Sequence, residues 1–297
     1  MLEKILPLII IFLTGYLLKK LKVLVPEDSQ VIGKLLANLV LPAIVFKALY
    51  TAQIDQELIY LPVAGLCVVL SLIVIIIVSL RFFDFERIRK GAIVITFASW
   101  EAGSIGYPFM LLTFGDLGLS RIVLFDLAQV IFLFTVIYFI ACQFGNSKFS
   151  LKEGVLNFLK VPIIWSIILA IILRFFEFND ALLLNYLDIL ENSFFMLLLV
   201  LLSLKFNLQL SSLKLCLLIT LAKTFCGIGL GSVAAMMFGF TGVERAAIIV
   251  GSSLPPSMLT LIFSEKNNLD TKFVANLLSI SLPFSCVFLG VFLQLFL

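Results

Sequence analysis

Apolar runs of about the 20 residues that a helix needs to cross a bilayer recur along this chain from one end to the other. A water-soluble fold of 297 residues has no way to hide that much apolar surface. Hydrophobic residues make up 62% and charged residues 13%, against roughly 45–50% and about 25% in soluble domains. Lipid must solvate the excess. The runs lie near residues 4–20, 30–50, 58–80, 91–114 and 119–143, then 161–176, 190–206, 213–238, 244–264 and 272–296. The expected fold class is therefore all-α integral membrane, with ten transmembrane helices. A cleaved secretory signal would supply one short apolar region only, so the first run is expected to stay. The acidic, amphipathic stretch 178–191 is expected along the membrane surface, ahead of the seventh span.

Charge placement gives an orientation. Fifteen of the 21 lysines and arginines fall in alternate loops, starting after the first span, and five fall on the opposite side. Positive charge marks the cytoplasmic side, so both termini are expected outside, in a multi-pass protein of the cytoplasmic (inner) membrane. The net charge of +3 is too small to suggest a nucleic-acid partner. Five scattered cysteines fit neither a disulfide framework nor a zinc site. The chain has no histidine, which removes imidazole-based schemes. No phosphate-binding glycine loop, metal-ligand spacing or nucleophile–base pair is visible. The expectation is a protein that is not an enzyme and needs no cofactor or metal.

The two halves of the chain echo each other. Arg89-Lys90-Gly91-Ala92-Ile93 leads into the fourth span, and Arg245-Ala246-Ala247-Ile248-Ile249 into the ninth. Each span is then interrupted, by Gly103-Ser104-Ile105-Gly106-Tyr107-Pro108 and by Gly251-Ser252-Ser253-Leu254-Pro255-Pro256. Five spans per half is an odd number, so the second copy (161–297) would lie inverted relative to the first (1–143), with 144–160 as a cytoplasmic linker. Matched interruptions of this kind are the best sequence pointer to a transporter binding site. Proline removes a backbone donor and clashes with the preceding turn, and broken backbone in a bilayer is tolerated only against protein or a water-filled cavity. The freed N-terminal helix ends suit an anion and the C-terminal ends a cation. Either break alone also fits a simple kink.

Three charges lie deep in spans: Glu101, Asp126 and Lys223. Each costs about 2.5–3.5 kcal/mol at a helix centre, so such residues face a bundle interior or cavity. Glu101 stands just before the fourth-span interruption and could take up a proton or hold a cation. Asp126 and Gln129 are three apart, on one face of the fifth span. Lys223 could pair with a carboxylate or attract one from a substrate. A structural ion pair between helices is the alternative for each. Asn38 shares a face of the second span with Pro42, which is expected to kink it. Ser99, Ser104, Ser252, Ser253 and Ser257 flank the breaks, and Asn276 and Ser279 sit in the last span. Serines often bond back to their own helix, so most of these are expected to be structural.

These residues resemble the auxin efflux carrier family, within the bile acid:sodium symporter-like superfamily. The likeness rests on Val40-Leu41-Pro42-Ala43, on Gly103 to Pro108 as quoted above, and on Ser253-Leu254-Pro255-Pro256-Ser257, in that order and spacing. The resemblance implies ten spans in two inverted repeats, with broken fourth and ninth helices crossing at the substrate site. It implies a scaffold of spans 1, 2, 6 and 7, a transport unit of spans 3–5 and 8–10, and pairing into a homodimer through scaffold helices. One departure stands out: family members commonly carry an asparagine ahead of the fourth-span proline, where this chain has Glu101 and Ser104.

The expectation is an alternating-access carrier of a small organic anion, a carboxylate, coupled to protons or to membrane potential. Ser104, Gly106, Pro108, Ser252, Ser253, Pro255, Pro256, Ser257 and Asn38 would bind substrate. Glu101, Asp126, Gln129 and Lys223 would tune charge or couple the transport. A sodium-coupled organic-anion symporter and a transporter-like sensor that binds without transport are the rival expectations.

Overall fold

A computed structural model describes residues 2–52, 56–145, 150–176, 180–205 and 213–296, and helix is the regular structure throughout them. In chain order the segments are α1 (Leu2–Lys20), α2 (Asp28–Leu35), α3 (Leu41–Thr51), α4 (Tyr60–Ser79), α5 (Arg87–Phe97), α6 (Tyr107–Phe132), α7 (Tyr138–Phe144) and α8 (Leu151–Leu159). They continue as α9 (Pro162–Phe175), α10 (Ala181–Lys205), α11 (Leu213–Met237), α12 (Gly242–Ser253), α13 (Leu259–Lys266) and α14 (Thr271–Phe296). Among the described residues, six stretches are long and apolar enough to cross a membrane. They are Asp28–Thr51, Tyr60–Phe82, Arg87–Phe144, Ala181–Leu204, Leu213–Met237 and Thr271–Leu289. Pro162–Phe175 is a shorter apolar helix.

Helix α4 shows why these segments belong in lipid. Its 20 residues carry no charge. One face (Leu61, Ala64, Val68, Leu72) is buried, while the other (Val63, Leu70, Val74, Ile77) is exposed and equally apolar. Water would penalise that second face by roughly 25 cal/mol for each Å². The stretch Arg87–Phe144 has 58 residues, about 87 Å if straight, against about 30 Å of hydrocarbon. It does not run straight. Ordinary helix stops after Phe97, and Gly115 adopts φ 63° and ψ −155° inside α6. Only glycine takes that conformation at no steric cost, so the long stretch turns at Gly115.

The chain folds as two compact units, each drawn from both halves of the sequence. The first contains residues 1–52 and 159–207. In it α1 packs on α10, and α3 packs on α9 and α10. Gly15 lies so close to α10 that a Cβ there would stand 2.3 Å from Ser203 Oγ. Lys47 bonds to Asp188 (2.8 Å) and Glu191 (2.5 Å), one turn apart on α10. This explains a departure from the sequence reading. The acidic residues after 181 do not form a separate surface segment but lie in the same continuous helix, where Asp188 and Glu191 share Lys47. A π-helical turn, Leu36–Val40, joins α2 to α3 just ahead of Pro42. The wide turn accommodates the missing proline donor.

The second unit contains residues 53–158 and 208–297. Its core is α11 against α12, α4 against α6, and α12 against α6. Small residues set these distances, as in other membrane bundles, where close backbone approach replaces the hydrophobic effect between helices. A Cβ on Gly227 would stand 2.1 Å from Ser252 O, and one on Gly65 2.3 Å from Phe125 O.

Candidate functional site

Two interruptions in the second unit meet. The first covers Ala98 to Glu101, between α5 and a π-helical turn at Ala102–Gly106. The second covers Leu254 to Met258, between α12 and α13. The backbone N–H of Glu101 donates to Pro255 O at 2.8 Å, and the N–H of Ser257 to Ser99 Oγ at 3.4 Å. Each stretch thus satisfies part of the other's freed backbone, as the absence of water in a bilayer requires.

The first break lies some five residues earlier than the sequence motif suggests. Gly103, Ser104 and Gly106 belong to the π turn, which opens the next helix, and Pro108 sits in the first turn of α6. Proline is well suited there, because first-turn N–H groups lack intrahelical partners anyway. Gly106 packs against Leu254 and Ile122, where a Cβ would come within 2.6 Å and 3.0 Å. The second break falls where the prolines place it: Pro255 and Pro256 occupy the non-helical stretch, while Ser252 and Ser253 are the last residues of α12.

Glu101 stands at the junction. Its Oε1 accepts from Ser104 Oγ (2.9 Å) and Ser104 N–H (3.4 Å), and its Oε2 accepts from Met258 N–H (2.8 Å). One carboxylate therefore caps two helix starts, the turn that leads into α6 and the first turn of α13. Negative charge at a helix N-terminus is favourable by about 0.3–1 kcal/mol, up to ~2 kcal/mol when partly buried. Both ends draw on the same side chain.

Lys223, on α11, is 1% exposed. Its Nζ donates to Phe97 O (2.9 Å) and Ser99 O (2.5 Å), the carbonyls freed where α5 stops. It is a cation at a helix C-terminus, the complement of Glu101, and its hydrogen bonds go to backbone rather than to a carboxylate. The break thus has a carboxylate seated on one side and an amine on the other.

Asp126 and Gln129 act on one residue. Trp100 Nε1 donates to Asp126 Oδ1 (2.7 Å), and Gln129 Nε2 donates to Trp100 O (2.6 Å). The indole stacks on Phe125 with centroids 5.3 Å apart. Tyr107 Oη donates to the other Asp126 oxygen at 2.8 Å. Gln129 Oε1 is buried without a hydrogen-bond partner. Neither Trp100 nor Tyr107 was singled out as a partner in the sequence, although a buried aspartate three residues from a glutamine calls for donors, and Tyr107 lies within the motif that drew attention and Trp100 just ahead of it.

The serines largely serve their own helices. Ser252 Oγ donates to Ile248 O (2.7 Å), Ser253 Oγ to Val250 O (2.9 Å), and Ser99 Oγ to Ile95 O (2.8 Å). Ser257 Oγ accepts from Leu259 N–H at 3.3 Å. Asn38 belongs to the first unit, where its Nδ2 donates to Lys34 O at 2.7 Å. Among the described residues no group of three or more acidic or cysteine side chains is gathered as a metal site.

Residues 1–293 match the model of a family described as membrane transport protein. The chain is similar to an uncharacterised transporter of Methanocaldococcus jannaschii, 25% identical over 95% of this chain and 94% of that protein. It is also similar to an uncharacterised transporter of Methanothermobacter thermautotrophicus, 23% identical over 99% and 94%. With a full-length match, paired helix breaks and long apolar helices, the chain belongs to the membrane transport protein family of the auxin efflux carriers, and is a multi-pass membrane transporter.

Proposed function

We propose that this transporter moves a small organic anion, a carboxylate, across the cytoplasmic membrane by alternating access, together with a proton carried on Glu101. The observation that carries the proposal is the seat of the Glu101 carboxylate, held by N–H groups from two helix starts. A place built to hold one carboxylate suits another. While Glu101 is ionised it fills that place itself. Protonated, it gives up its claim as an acceptor, and a substrate carboxylate takes over the two helix ends. Loaded and empty forms then carry equal charge for a monocarboxylate, so the cycle is electroneutral. Lys223 holds the α5 end in shape throughout, and Asp126 with Gln129 fixes the Trp100 segment.

The ten-span inverted-repeat arrangement, with residues 1–52 and 159–207 as scaffold and the rest as the moving part, belongs to the same proposal. The two compact units support the split into scaffold and moving part. The buried, unpartnered Gln129 Oε1 favours one rival, a sodium-coupled symporter, since that oxygen could ligate a cation.

The test is flux in liposomes with a panel of two- to five-carbon mono- and dicarboxylates, with and without sodium, across pH. Wild-type affinity for the transported acid should fall as pH rises, because ionised Glu101 competes. Glu101→Gln should remove that dependence and bind the acid at least as tightly at high pH. A pH profile unchanged by the substitution excludes the proton role, and an absolute sodium requirement selects the rival. Binding without flux would make the protein a sensor.

A further inference from the structure

We infer that a groove at the ends of α4, α5 and α7 binds the headgroup of an anionic phospholipid. It is lined by Ile77, Leu80, Arg81, Lys90, Val94 and Phe144 and has a volume of about 190 Å³. Two cations and four apolar side chains face it, with no carboxylate among them. Four basic residues, Arg81 in the connection between α4 and α5 and Arg87, Arg89 and Lys90 in the first turn of α5, divide cleanly. Arg87 donates to Gln143 O, and Arg89 pairs with Asp270 at 2.8 Å. Arg81 and Lys90, the two at the groove, have no carboxylate within ion-pair distance among the described residues. Two positive charges are left for something from outside.

The location selects lipid over a dissolved anion. The groove lies where apolar helix gives way to polar connection: the spans Tyr60–Phe82 and Arg87–Phe144 end and begin at its rim. That is the depth of phosphate groups in a bilayer. Ile77, Val78, Phe82 and Phe83 are exposed beside it, Phe82 at 82%, an apolar surface that suits acyl chains rather than water. A phospholipid satisfies both halves of the groove, its phosphate between Arg81 and Lys90 and its upper chain along Ile77 and Leu80. Basic pockets between membrane helices bind acidic headgroups on these grounds. A soluble phosphate would use only the cations.

The experiment is native mass spectrometry of the full-length protein in detergent, titrated with phosphatidylglycerol, with phosphatidylcholine and with glycerol 3-phosphate. Wild type should retain phosphatidylglycerol in preference to phosphatidylcholine and should not retain glycerol 3-phosphate. Arg81→Gln and Lys90→Gln should each weaken the preference roughly fivefold, and together by over tenfold. The charge-conserving pair Arg81→Lys with Lys90→Arg should keep it, which separates lost charge from lost folding. Lys22→Gln with Lys34→Gln, two exposed cations elsewhere, should leave it unchanged. Equal retention by the double glutamine variant overturns the assignment, as does equal loss from the Lys22 and Lys34 control. Retention of glycerol 3-phosphate at matching affinity would assign the groove to a soluble phosphate instead.

Discussion

Lys223 and Asp126 illustrate two ways of keeping a charge inside a membrane protein. Lys223 satisfies two carbonyls that a broken helix has released, and Asp126 satisfies two ring donors. Removing either side chain leaves buried partners without bonds, which costs more than the bond itself was worth. Lys223→Met orphans the Phe97 and Ser99 carbonyls and should lower stability by about 1–3 kcal/mol for each group left unpaired. Thermal unfolding in detergent reads this directly. Asp126→Ala orphans Trp100 Nε1 and Tyr107 Oη and should cost a similar amount. Combining it with Trp100→Phe should cost less than the sum of the two single changes, because one lost bond is shared. An additive result would mean the aspartate and tryptophan do not act as a pair. Residues of this kind were visible in the sequence as isolated charges in apolar runs. Their partners were not, since Lys223 reaches Phe97 and Ser99 only across from α11, and Asp126 reaches Trp100 only where α6 folds back on the break.

At the scale of elements, helix breaks and close approaches go together. The end of α12, just before its break, lies against α11 at Gly227 and Gly231. Gly227→Ala would drive a methyl group into the backbone at Ser252 and Ser253, which has no soft atom to move aside. It should destabilise the protein strongly and impair transport. Gly229→Ala, one half-turn away on an exposed face with nothing within 4 Å, should be neutral or slightly stabilising, as alanine favours helix over glycine. Paired measurements of melting temperature and flux test the contrast; equal effects would show that α11 and α12 are not held at contact distance. The sequence pointed to both breaks but put the first too late. Gly103 and Pro108 are conspicuous breaker types, yet a π turn and a helix start absorb them. The unwound residues are Ala98, Ser99, Trp100 and Glu101, none of which breaks a helix by intrinsic preference. Lys223, Asp126 and Gln129 hold that stretch open through contacts distant in sequence.

Over the whole molecule the distribution of lysine and arginine makes a further prediction. Fifteen against five in alternate loops predicts that the 83–86 connection faces the cytoplasm. A reporter inserted there that is active only inside the cell should be active, and one inserted near residue 116 should be silent. The opposite pattern would reverse the orientation. Membrane residence, family and the approximate position of most helices were legible in the sequence alone, because the need for about 20 apolar residues per crossing acts on consecutive residues. The continuation of α10 back to Ala181 was not, because the acids that disguised it pair with Lys47, more than a hundred positions earlier. Nor was the seat of Glu101, which depends on an amide at Met258. In lipid the buried and exposed faces of a helix are both apolar, so periodicity does not mark which side meets a neighbour. Tertiary packing alone decided which charges, amides and carbonyls meet at the two breaks.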